Sequence, residues 1–144
     1  FIVKNKEIKE LLMDEPPIKD HFEKMTKTDI AILGIGNHTP QSSIYNSGYL
    51  TDEEMEMLKN DNVVTDICGY GIDIDGNPVE TVTTNRIIGI NLDTLKTIPI
   101  RMGCSSGINK TQAVLGALRG GYINVLVIDE ETANVVMIEA INGK

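Results

Sequence analysis

Residues 98–118 read I-P-I-R-M-G-C-S-S-G-I-N-K-T-Q-A-V-L-G-A-L, and this order of side chains constrains the fold more than any other stretch. An apolar run (Ile98, Ile100, Met102) passes through a loop of small residues (Gly103, Cys104, Ser105, Ser106, Gly107) into a pattern carried by Val114, Leu115 and Leu118. A short apolar run followed by i, i+1, i+4 spacing predicts strand, loop and helix. Such a junction offers unsatisfied backbone N–H groups and the positive end of a helix macrodipole, both of which favour an anion. Lys110 is informative because a lone cation in the first helical turn is unfavourable by about 0.3–1 kcal/mol, and a bound anion reverses that sign. The bland alternative is a solvated lysine beyond an ordinary β–α loop. Neither G-x-G-x-x-G nor G-x-x-x-x-G-K-[ST] is met, so no nucleotide motif is present.

The same alternation runs through the rest of the chain. Two short helices are expected first, one with Ile8, Leu11 and Leu12 on a face, the second with Ile18, Phe22 and Met25, broken apart by D-E-P-P at 14–17. Both are expected to pack on a sheet. Ile30 to Leu33 form a continuous apolar run ending at Gly34-Ile35-Gly36, which predicts a parallel strand buried on both faces. In open α/β sheets ligands bind beyond the carboxyl ends of strands. The loop that follows offers Asn37, His38, Gln41, Ser42 and Ser43, either as hydrogen-bonding groups for a polyhydroxylated ligand or simply as a polar turn. His38 has no carboxylate or nucleophile at a telling spacing and is not made a catalytic base.

Thr51 with Glu54 three residues on predicts a capping box, with Met55, Leu58 and Met57 on the buried side of its helix. Val63, Val64, Ile67 and Cys68 predict a strand that contains Asp66. A carboxylate in an apolar run needs a partner, so Asp66 either caps a neighbouring loop or accepts a hydroxyl from a bound sugar. Residues 70–84 predict a hairpin-like excursion turning at D-G-N (75–77). The D-x-D-G-N spacing fails as a calcium loop because the distal glutamate and the flanking helices are missing. Arg86, an anion ligand or a strand-edge cation, precedes an expected strand at 87–90. Leu92, Leu95 and Ile98 follow at helical spacing. Residues 124–128 are the clearest strand, and Asp129 after them sits where a final helix needs an N-cap.

The net charge of -8, from 13 basic and 21 acidic residues, argues against direct contact with nucleic acid. An anionic ligand must then be held by local groups. Cys68 and Cys104 lie in separate apolar surroundings without C-x-x-C or paired histidines, which points to reduced thiols in the cytoplasm and to no metal site. No run reaches transmembrane length and the first residues form no signal peptide. The chain opens on Phe1, as a fragment of a longer protein would. One α/β domain with a largely parallel, Rossmann-like sheet flanked by helices is expected over residues 1–144.

The ordered set G-I-G (34–36), T-D-I-C-G-Y (65–70), D-x-D-G (73–76), R-I-I-G-I (86–90), G-I-N-K-T-Q-A (107–113) and A-L-R-G-G-Y-I-N-V-L-V-I-D-E (117–130) resembles the sugar-binding domain of SorC-type bacterial transcriptional regulators. The resemblance covers essentially the whole chain. It implies a fold related to phosphosugar isomerases and CoA transferases, a phosphorylated-sugar effector, assembly as dimers or tetramers, and no cofactor. It also implies a helix-turn-helix DNA-binding domain and a first part of the effector domain, with a phosphate-contacting glycine-rich loop, that this chain lacks. The family's lysine corresponds to Lys110 and its strand carboxylate to Asp66. The glycine pair usual before that lysine is Ser106-Gly107 here, which narrows the backbone freedom at Ser106. The expected ligand-binding set is Gly34, Gly36, Asn37, Gln41, Ser42, Asp66, Ser106, Gly107 and Lys110, with no catalytic residue. The competing class is a phosphosugar isomerase-like enzyme on the same fold, for which Asp66 is the one internal carboxylate. A third reading is a bare oligomerisation module, which predicts no saturable small-ligand binding.

Overall fold

The structure, a computed structural model, describes residues 1–37, 43–46, 48–60 and 62–143. In chain order it comprises α1 (Lys6–Asp14), α2 (Pro16–Met25), β1 (Ile30–Gly34), α3 (Ser43–Asn46), α4 (Asp52–Asn60), β2 (Thr65–Ile67), β3 (Tyr70–Ile72) and β4 (Pro78–Val79). There follow a 3-10 turn (Thr84–Arg86), α5 (Leu92–Thr97), β5 (Ile100–Cys104), a second 3-10 turn (Ile108–Lys110), α6 (Thr111–Arg119), β6 (Val125–Val127) and α7 (Glu130–Asn142).

Local chemistry sets most helix starts. Asn5, Asn91 and Asp129 each accept a backbone N–H from three residues on, as N-caps do. The capping box at Thr51 is reciprocal: Glu54 N–H donates to the Thr51 hydroxyl at 3.2 Å and Thr51 N–H to Glu54 Oε2 at 3.0 Å. Prolines 16 and 17 open α2, where a missing N–H costs nothing, and so separate it from α1.

Strands β1, β5 and β6 form a parallel sheet in the order β1-β5-β6, Ile30 opposite Ile100 and Met102 opposite Val125. This is the α/β arrangement expected from the alternation. A separate antiparallel sheet, β2-β3-β4, holds the excursion at 70–84 and also the segment around Asp66. It docks on the end of α6, where Arg119 donates to Ile74 O at 2.9 Å and the buried Tyr122 hydroxyl to Gly76 O at 3.1 Å.

The main core lies on one face of the parallel sheet. There Ala31, Leu33 and Leu126 meet Leu92 and Leu95 of α5, Val114, Leu115 and Ala117 of α6, and Ile67 and Ile72 of the antiparallel sheet. Each fully buried aliphatic side chain contributes roughly 1.5–3 kcal/mol. A smaller cluster joins Ile2, Tyr45, Leu58 and Ile87.

Three expectations are corrected. Strand β1 is not buried on both faces: Ile30 and Ile32 point outward, Ile32 with 71% of its surface exposed, as do Ile100, Val125 and Val127. The physical reason is topological. The links β1 to β5 and β5 to β6 advance the same way, and right-handed crossovers then put both sets of helices on one side. Helices α1 and α2 do not bury their apolar stripes in a sheet; neither contains a buried residue, and Leu11 is exposed. The run at 87–90 is not a strand of a sheet. It makes one antiparallel bridge, Ile87 with Ile2, and Ile88 N–H donates to Phe1 O at 2.8 Å, so its backbone pairs with the N-terminal segment instead.

Candidate functional site

The carboxyl ends of β1 and β5 lie side by side, and Ile35 N–H still donates to Cys104 O at 3.1 Å past the last paired residues. Beyond that point the β1 chain leaves the sheet through Gly36 and Asn37. Asn37 is 7% exposed, low for a polar side chain, and Lys110 Nζ donates to its Oδ1 at 3.0 Å. The same ammonium lies 3.4 Å from Ile35 O. The lysine expected to matter at the start of α6 therefore reaches back across the end of the sheet, rather than standing free over a β–α loop.

Asp66 arrives from the antiparallel sheet. Its neighbours Thr65 and Ile67 are wholly buried, and the alternation of β2 turns the half-buried Asp66 side chain to the opposite face, against Gly36. The Thr65 hydroxyl donates to Gly36 O at 2.7 Å and ties that strand to the end of β1. The Asp66 carboxylate lies against Gly36, where a Cβ would overlap it unless that carboxylate moved away. Burial pushes the Cys68 thiol above its ordinary value, and the Asp66 charge pushes it the same way. Gly36, Asn37, Asp66 and Lys110 thus form one cluster holding an ammonium, a carboxylate and an amide. A cavity of 340 Å³ adjoins it through Asn37, with Asn109, Thr111, Gln112 and Glu139 among its polar walls. That volume is at the low end for small-ligand pockets.

Ser106 and Gly107 belong to a second group. Gly107 has φ +101°, a conformation that favours glycine, and begins the 3-10 turn that ends at Lys110. Its N–H does not point at open space. It donates to Asp129 Oδ2 and to Thr132 Oγ1, both at 3.0 Å. Asp129 also accepts Thr132 N–H at 2.9 Å and the Thr132 hydroxyl at 2.7 Å. Bonds from the Thr132 backbone and hydroxyl, then from Gly107 N–H and Ser106, hold the Asp129 carboxyl well below the usual carboxylate range. The anion seat expected at this loop is filled in part by the chain's own carboxylate.

Of the remaining expected residues, Gly34 is the last residue of β1 with open space where a side chain would stand. Gln41 and Ser42 lie outside the described residues, as does His38. Arg86 pairs with Glu54 at 2.9 Å and donates to Lys4 O at 3.1 Å, with 12% of its side chain exposed; it is a structural tie. Asp73 spends its carboxylate on Asp75 N–H, Asn77 N–H and the Asn77 amide, as a turn residue does. Among the described residues no group of three or more metal-ligating side chains occurs, and no helix is long and apolar enough to cross a membrane. Sequence reasoning missed Thr65 and Thr132, and assigned Asp129 only the cap. The signal for Thr132 was its place three residues after Asp129, the N3 position that a capping carboxylate reaches.

The chain is similar to known proteins over nearly its whole length. The family model described as "Putative sugar-binding domain" matches residues 1–138. The transcriptional regulator LsrR of Klebsiella pneumoniae is 36% identical over 138 residues, covering 94% of this chain and 43% of the regulator. LsrR of Escherichia coli is 39% identical over 134 residues, covering 91% of this chain and 42% of that protein. The full-length sorbitol operon regulator SorC from Klebsiella pneumoniae superposes with a TM-score of 0.85 at 29% identity, covering 94% of this chain and 44% of SorC. The chain therefore spans less than half the length of these relatives. It belongs to the family of sugar-binding domains of SorC-type transcriptional regulators.

Proposed function

We propose that this chain is the effector-binding part of a bacterial transcriptional regulator of carbohydrate metabolism, and that its effector is a phosphorylated sugar. The observation that carries the reading is Lys110, held against Asn37 and Ile35 O at the carboxyl end of β1 in the same cluster as Asp66. An ammonium there suits a phosphate, and a nearby carboxylate and amide suit sugar hydroxyls. DNA is reached through a helix-turn-helix domain on the longer protein, whose remaining effector half adds a glycine-rich phosphate loop. The protein works in the cytoplasm as a dimer or tetramer. Ligand binding shifts the equilibrium between assembly states or domain orientations, and DNA affinity follows.

An isomerase-like enzyme is the weaker reading. Acid–base chemistry needs a group poised near its working pKa. Asp66 is the carboxylate offered for it, and the relatives are named regulators.

Thermal unfolding with a panel of sugar phosphates and their unphosphorylated counterparts tests the proposal, on this chain and on the full-length protein. A specific binder at a hundredfold excess over Kd stabilises by about 2.7 kcal/mol. The expected outcome is a shift with one sugar phosphate, absent with the plain sugar and lost in Lys110→Ala. A full-length protein that stays flat across the panel contradicts it.

A further inference from the structure

The carboxylate of Asp129 lies at the junction of two elements, and a cap uses only one of its oxygens. Asp129 Oδ1 takes Thr132 N–H at 2.9 Å, which satisfies the first turn of α7. Oδ2 is turned the other way. It takes Gly107 N–H at 3.0 Å and the Thr132 hydroxyl at 2.7 Å. Thr132 is wholly buried and its Oγ1 accepts the same Gly107 N–H at 3.0 Å, so one amide is gripped by two oxygens. A charge-assisted bond to a backbone amide is stronger than a neutral one. What it grips is the origin of a turn: Gly107 O accepts Lys110 N–H at 2.9 Å, closing the 3-10 turn (Ile108–Lys110) that aims the lysine at Asn37.

We infer that Asp129 is a positioning residue of the ligand site, a latch from the start of α7 that fixes Gly107 and thereby the direction of Lys110. This rests on the reading of Lys110 given above. Two consequences distinguish it from a helix cap. Gly107 N–H, engaged by the latch, is not a donor to the ligand, so the anion depends on Lys110 more than on this loop. And a change in the pose of α7 is felt at Lys110 through one amide, which gives the effector site a direct mechanical connection to a helix on the surface.

The substitution Asp129→Asn separates the two roles. Asparagine keeps an oxygen for Thr132 N–H and is itself a good N-cap. It places an NH₂ group where Oδ2 stood, facing the Gly107 N–H and the Thr132 hydroxyl. NMR of the ¹⁵N,¹³C-labelled chain gives three readouts: the Gly107 amide proton shift, the nuclear Overhauser contacts between the Lys110 side chain and Asn37, and the response of both to added inorganic phosphate. In the wild type the Gly107 proton is expected downfield, as an amide on a carboxylate is. In Asp129→Asn it moves upfield, the Lys110–Asn37 contacts are lost, and the Thr132 amide keeps its protection. If Asp129→Asn does not fold, Thr132→Val, which keeps the volume and removes one of the two acceptors, is expected to move the same readouts part of the way. Unchanged Gly107 shift and intact Lys110–Asn37 contacts in the folded variant overturn the inference. If phosphate leaves the wild type unaffected while Asp129→Asn still frees Lys110, the latch stands and the phosphate reading of the site fails.

Discussion

At Gly36 the absence of a side chain has a single visible cause. The Asp66 carboxylate occupies the place where a Cβ would be, and Thr65 holds the two segments together there. Gly36→Ala is expected to cost little stability, about 1 kcal/mol or less because the carboxylate can swing away, and to push Asp66 out of the cluster. Chemical denaturation measures the first effect. The second predicts weaker binding of any sugar ligand than the stability loss alone explains. Asp129 gives a prediction in pH. Its folded pKa is depressed, so its contribution is present above the ordinary carboxylate value near 3.9 and is lost as pH falls through the folded value. The difference in Tm between wild type and Asp129→Asn should therefore be constant from about pH 8 to pH 5 and shrink only in stronger acid. A difference that fades between pH 8 and pH 5 would place the effect on another group.

Among the elements, those whose signals are local were legible from the chain alone. The cap at Asp129, the box at Thr51 and the proline break before α2 depend on residues within one turn, and the structure has each of them. Partners were not legible. Residues 87–90 and 30–33 are both short apolar runs; one pairs with the N-terminal segment and the other becomes an edge strand with one open face. Periodicity records how apolar a segment is, not what lies against it. The candidate site shows the same limit. Lys110 and Asp66 could be singled out as anomalies in their own elements, a cation at a helix start and a carboxylate in a strand. That both come to the end of β1, and that Gly107 is held by Asp129, depends on contacts between segments 22 to 73 residues apart, which no local pattern encodes.

Across the whole molecule, the parallel sheet is packed on one face and open on the other. Ile30, Ile32, Ile100, Val125 and Val127 share the open face, and the chain spans less than half of its relatives' length. Parallel sheets are ordinarily covered on both sides. The asymmetry has a direct consequence for stability. Leu95 is wholly buried, and Leu95→Ala should cost about 2–5 kcal/mol. Ile32→Lys, on the open face, should stay within about 0.5 kcal/mol of the wild type. Denaturant melts of the two variants check this, and a large loss in Ile32→Lys would mean that the face is covered in solution.

The central claim is that the end of β1 is an effector site in which Lys110 holds the anionic group. Calorimetric titration of the full-length regulator with the sugar phosphate that raises its Tm most, set beside the unphosphorylated sugar and the Lys110→Ala variant, is its most direct test. The account predicts saturable one-site binding of the sugar phosphate to the wild type and loss of affinity on removing either the phosphate or the lysine. Equal affinity for sugar and sugar phosphate, or full affinity in Lys110→Ala, would contradict it.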